Sequence, residues 1–212
     1  ISSKDAIHEE IFGASTASHI EHVGREEEYR AGGLKDTWLF QEPHFSCVTC
    51  TMVTAIADRI FVESEKTNGI RLSWPDIFSR IPKVQSGTRL ADNLQFAIEK
   101  GVCKDELLSQ ARCWGREMMN IERTEEMNAD ALTRSGIQHK RYIFTGVNAL
   151  MNELKERPIM IGCYFDEMWW SETTKQGRPY NGPRGQIGHY ILWIDVKEVN
   201  GVWYRVICDW DK

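Results

Sequence analysis

Long apolar runs are missing from this 212-residue chain. No stretch approaches the ~18 apolar residues that cross a bilayer, so no membrane span is predicted. Residues 1–20 lack a positively charged start followed by an apolar block, so no secretory signal is visible. The chain opens at Ile1 instead of Met, and the expectation is that something upstream was removed or left out. Basic tracts are missing as well. With a formal net charge of −5 and no Lys/Arg cluster, the sequence carries no electrostatic footprint for nucleic acid, and no such partner is expected. Cysteine is too sparse, at six residues, to define a disulfide-held scaffold, although an even count permits bridges and leaves the compartment open. Repeats and low-complexity segments are absent. What is left, 42% hydrophobic and 27% charged, suits one globular domain with a sizeable core and room for two lobes.

Residues 1–35 are polar, carry the charge run "REEEYR" and read as an arm with a solvated face. Beyond them helices come first. Over 50–63, Met52, Ile56 and Ile60 lie on one face and Val53, Ala57 and Phe61 widen it, which predicts a helix buried in the middle of a domain. "LSWPDIFSRI" (72–81) reads as a short helix capped by Ser73, with Pro75 in its first turn. In "GTRLADNLQFAIEKG" (87–101) Thr88 is the expected cap, Leu90, Leu94 and Ile98 the apolar stripe, and Gly101 the stop. "GVNALMNELKERP" (146–158) is a further helix, ended by Pro158. Strands follow at 158–165, 189–196 and 202–210, the last two joined by a turn around Asn200-Gly201. Helices that lead and antiparallel strands that close predict an α+β fold.

The chemistry concentrates in "FSCVTCTMVTA" (45–55), where Cys47 and Cys50 stand three apart at the head of the buried helix. A zinc site needs about four ligands, and no second Cys-x-x-Cys or His-x₃₋₅-His occurs, so no metal is expected. A redox couple should follow a strand, and "DTWLFQEPHFS" is only weakly strand-like. Two buried structural thiols are a third reading. The fourth is a nucleophile: Cys50 in the first helical turn, where unpaired N–H groups and the macrodipole favour a thiolate. A thiolate needs a base that a third polar group orients. Of six histidines, only His189 stands at a loop-to-strand junction with a polar residue, Asp209, on the adjoining strand. In the predicted hairpin, residues near 190 and 210 fall opposite each other.

With these residues in place, the chain resembles the papain-like cysteine peptidases. Their nucleophile region runs Gln, a short loop, Cys-x-x-Cys and a helix, as in "QEPHFSCVTCTMVTAIA" (41–57), with Cys50 at the catalytic cysteine. "LSWPDIF", "LADNLQFAIEKGVCKDE", "ALMNELKERPIMIGCYF" and "NGPRGQIGHYILWID" resemble further family segments in family order, together spanning residues 36–210. His189 follows Cys50 by 139 residues, inside the family's spacing of ~130–150. Departures are local. Thr51 stands where an aromatic usually follows the nucleophile. Gln41 lies nine residues before Cys50 instead of six, where His44 stands, and Asp209 replaces the usual Asn. Cys47 matches a half-cystine whose partner position holds Arg80, so that bridge is expected to be missing. The chain also stops at Lys212, short of the family's closing strand, as a fragment or a pared-down relative would.

The resemblance implies a papain-like two-lobed fold: an arm over 1–35, then a domain over 36–212 with a helical lobe (about 36–140) and a sheet lobe (about 141–212). It implies a thiol peptidase with a Cys50–His189–Asp209 triad, Gln41 as oxyanion donor and His44 as the alternative donor. The partner would be a polypeptide substrate, and no cofactor is expected. A catalytically silent papain-like domain serving as a binding or structural subunit is the alternative function, and a thiol amidase or peptidoglycan-cleaving relative the third.

Overall fold

A computed structural model describes residues 24, 27, 39, 44–65, 69–84, 87–110, 121–139, 147–165, 187–199 and 202–208. Among the described residues the fold is α+β: five helices, then a small antiparallel sheet. The chain forms two compact units, one built on residues 27–141 and the other on 142–207.

In the first unit, helix α1 (Cys47–Glu63) is the centre. It is buried on nearly all sides, from Cys47, Val48 and Cys50 through Met52, Val53, Ile56 and Ala57 to Phe61. A helix so widely apolar needs neighbours around it, and α2 (Trp74–Phe78) and α3 (Leu90–Lys100) pack against it. It begins at Cys47, three residues earlier than the pattern predicts, because the Cys-Val-Thr segment is itself buried and helical, with buried Ser46 at the N-cap. Helix α2 is as expected: the Ser73 hydroxyl accepts from the Asp76 amide at 3.2 Å, and Pro75 sits in the first turn, where its missing N–H costs no bond. Ser73 also donates to the Leu108 carbonyl at 2.6 Å, pinning the segment that follows α3.

Helix α3 differs in detail. Its N-cap position is Arg89, and Thr88 does not cap; the Thr88 hydroxyl instead accepts from Asn93 Nδ2 at 2.9 Å. The buried positions are Asn93 and Ala97, while Leu90, Leu94 and Ile98 are only half-buried. Small Ala97 admits close neighbours and Asn93 finds internal partners, so this face turns inward ahead of the leucine stripe. Gly101 ends α3 at φ 64°, and a Cβ there would lie 1.9 Å from the Ala131 carbonyl oxygen. That carbonyl belongs to α4 (Glu125–Leu132), a helix the apolar pattern does not announce. Thr124 caps it through the Met127 amide, Glu125 and Glu126 suit its first turn, and only Met127 and Ala131 are buried.

An ionic clasp joins these parts. Asp76 is fully buried, and Arg123 meets it side-on, Nε–Oδ1 at 2.8 Å and Nη2–Oδ2 at 2.7 Å. Arg80 adds a contact at 2.8 Å, and the Cys103 amide donates to Oδ2 at 2.9 Å. Arg123 also reaches the Lys100 and Gly101 carbonyls at 2.8 and 2.9 Å, so one guanidinium ties α2 to the end of α3. Cys47, Cys50, Cys103 and Cys208 are reduced thiols. Arg80, at the position matching the half-cystine's partner, is spent on Asp76.

In the second unit α5 (Val147–Glu156) leads through Pro158 into a sheet of order β1 (Ile159–Phe165), β2 (Ile187–Val199), β3 (Val202–Cys208). β1 and β2 run antiparallel, Ile159 opposite Trp193 and Cys163 opposite His189. Two residues separate β2 from β3, a connection only antiparallel strands accept. Met151 and Leu154 of α5 pack with Trp193 and Val196, flanked by Ile159, Ile161 and Ile207. At Gly162 a Cβ would approach the Tyr190 ring at 3.0 Å, so a larger residue there needs that side chain to shift.

Candidate active site

Cys50 is the fourth residue of α1 and has no exposed surface. A helical side chain leans toward the N-terminus, so its sulfur lies over the first turn, where the dipole's positive end favours an anion. One expectation is corrected here. The Cys50 N–H is not one of the unpaired amides; it donates to the Ser46 carbonyl at 2.9 Å as the first bond of the helix. The early helix start is the reason.

Side chains around that turn are each engaged. Ser46 Oγ stands 3.5 Å from Cys50 Sγ. Thr51 donates to the Cys47 carbonyl at 2.7 Å, the back-bond that a threonine makes where the family pattern has an aromatic. Thr49 donates to Asn93 Oδ1 at 2.6 Å, and Asn93 in turn donates to Thr88 and to the Arg89 carbonyl at 2.9 and 2.8 Å. This buried chain of hydrogen bonds ties the first turn of α1 to α3 through Thr49, the residue one position before Cys50. A satisfied buried network of this kind fixes geometry.

The approach segment is shaped by Gly87. Val84 and Gly87 pair with each other at 2.8 and 3.1 Å, and at Gly87 (φ 118°) a Cβ would come within 2.4 Å of the Phe45 carbonyl oxygen. Only glycine permits that approach. Phe45 itself is 70% exposed, unusual for a residue so near a buried helix start. His44 places its ring 5.7 Å from Phe78 and 6.1 Å from Trp74, beside their edge-to-face pair.

His189 sits near the start of β2, is 3% exposed, and shares a face with Ile191 and Trp193. Strand β2 begins two residues before it, so the histidine is held inside the strand instead of at its junction. Cys50 belongs to the helical unit and His189 to the sheet unit. Gln41 and Asp209 lie outside the described residues. The residue that sequence reasoning missed is Ser46; its signal was a serine four places before the cysteine, one helical turn away. Among the described residues no cluster of three or more His, Cys, Asp or Glu is grouped to hold a metal, and no helix is long and apolar enough to cross a membrane.

Solved structures share this fold. Xylellain, a cysteine protease from Xylella fastidiosa, superposes with a TM-score of 0.58 at 14% identity, over 74% of this chain and 65% of that one. This chain therefore spans just under two thirds of xylellain's length. The bromelain protease from Ananas comosus, in complex with the E64 inhibitor, gives 0.53 at 12% identity over 83% and 79% of the two chains. A recombinant stem bromelain precursor gives 0.53 at 15%, over 84% and 56%. No family model and no curated protein sequence matches this chain.

Proposed function

We propose that the chain is a thiol peptidase of papain type, cleaving polypeptide substrates with Cys50 as nucleophile, His189 as base and Asp209 as the group orienting the imidazole. The observation that carries the reading is the place of Cys50: a thiol at the positive end of the buried central helix, in a fold shared with cysteine proteases at TM-scores of 0.53–0.58. In the proposed reaction His189 takes the Cys50 proton, and the thiolate attacks the scissile carbonyl. His189 returns the proton to the leaving amine, and water, activated by the same ring, then hydrolyses the acyl-enzyme. Gln41 is the proposed oxyanion donor and His44 its substitute. A side-chain donor matters more here than in a site with a spare helix amide, because the Cys50 N–H already serves Ser46.

The environment of Cys103 favours selective labelling. Cys103 is fully buried, and burial, reinforced by the Asp76 charge beside it, pushes its thiol up to about 12. At neutral pH it stays protonated and unreactive. An epoxysuccinyl probe of the E64 kind is expected to modify Cys50 ahead of every other cysteine, read by peptide mass spectrometry. Cys50→Ser should abolish both labelling and cleavage of a denatured protein substrate. Uniform labelling of all thiols, or an unmodified Cys50, would sink the proposal.

A further inference from the structure

We infer that Ser46 is a positioning residue for the Cys50 thiol: its hydroxyl is diverted from capping α1 to the sulfur, where it favours the thiolate. The inference rests on Cys50 being the nucleophile proposed above.

Serine at a helix start ordinarily turns its oxygen to an amide one turn in. Two of the other three N-caps of this unit, the hydroxyl-bearing Ser73 and Thr124, do so, each accepting at 3.2 Å, while Arg89 has no hydroxyl to offer. Ser46 makes no side-chain capping bond, and its backbone (φ −102°, ψ 14°) lies outside the extended region that capping residues adopt. Its Oγ is instead 3.5 Å from Cys50 Sγ, both residues being fully buried. The same serine accepts the Cys50 N–H at 2.9 Å through its carbonyl. Residue 50 is thus held to residue 46 at two points, one through the backbone and one through the reactive atom.

With the thiol neutral, either group can donate. Once the proton has left, sulfur can only accept, and the hydroxyl must turn its hydrogen to the charge. Donation to the charged form lowers a pKa, and a buried site makes the bond stronger than it is in water. The proposed base, His189, is the same in wild type and variants, so its charge does not separate them. Helix α3 presents neutral Asn93 to this turn. The α2 acid, Asp76, is held by Arg123 and Arg80. His44, just upstream, lies against Trp74 and Phe78. Asp58, on α1 itself, is about two turns further along.

The test is the pH dependence of Cys50 alkylation by iodoacetamide in the full chain, followed by mass spectrometry, in wild type, Ser46→Ala and Ser46→Gly. The two variants differ in volume and backbone freedom but share the loss of the hydroxyl, and glycine is tolerated as a cap. Both should raise the midpoint by the same amount, about one pH unit. Midpoints equal to wild type, or shifts that differ between Ala and Gly and so track packing, overturn the role of Ser46 while leaving the nucleophile standing. A wild-type Cys50 that resists alkylation across the range overturns both.

Discussion

Asp76 carries a charge with no exposed side-chain surface, which is tolerable only because the Arg123 fork, Arg80 and the Cys103 amide converge on it. Removing one partner of a buried pair leaves the other charge stranded, which costs about 3–5 kcal/mol. With Arg80 still on Asp76, Arg123→Met is expected to lower the unfolding free energy read from urea titration by up to that amount. Asp76→Asn combined with Arg123→Met should recover part of the loss, since no carboxylate is then buried there and only the part-exposed Arg80 faces a neutral amide; strict additivity of the two single changes would refute the coupling. Sequence does not disclose this group. Asp76 reads as a favourable first-turn acid, and Arg123 lies 47 residues away in a segment with no pattern. Ser46 was hidden for a different reason: a serine before a helix is expected to cap it, and only coordinates reveal where the hydroxyl turns.

At the scale of elements, local punctuation was legible and burial was less so. Ser73 with Pro75, Gly101 and the Pro158 boundary each act through one residue's own geometry, and each stands where expected. Helix α4 escaped because two buried residues in eight make too weak a stripe, and tertiary contact with α3 supplies what its pattern lacks. The inward face of α3 was misjudged by one position because Asn93 is polar; its partners Thr49 and Thr88 are invisible to a hydrophobic count. The α3–α4 junction yields a sharp expectation. Gly101→Ala forces a left-handed residue to carry a Cβ into the Ala131 carbonyl. Strain and displacement together should cost at least about 2 kcal/mol. Gly136→Ala has positive φ but nothing within 4 Å, so it should cost only the strain. Thermal melts of the two variants separate the contributions.

For the molecule as a whole, the fold class and the order of elements were readable, whereas a separation of 139 residues along the chain contains no distance between Cys50 and His189. Global stability should report the buried Cys103 thiol in alkali. Its unfolded pKa is ~8.5 and its folded value is raised to about 12. Between these, the unfolded chain has released a proton that the native state keeps. The native state thus binds more protons and stability falls as pH rises, by up to about 1.4 kcal/mol per unit. Urea midpoints measured at pH 8.5 and 10.5 should fall more steeply for wild type than for Cys103→Ala; parallel declines would disprove the assignment. The ionic clasp has a practical consequence of its own. A sulfur nucleophile stays alive only in the presence of reductant, and that same reductant dissolves any scaffold stapled through cystine. Among the described residues the clasp is ionic and holds no bond that glutathione or dithiothreitol can break, so conditions that would keep the proposed nucleophile competent leave the clasp intact.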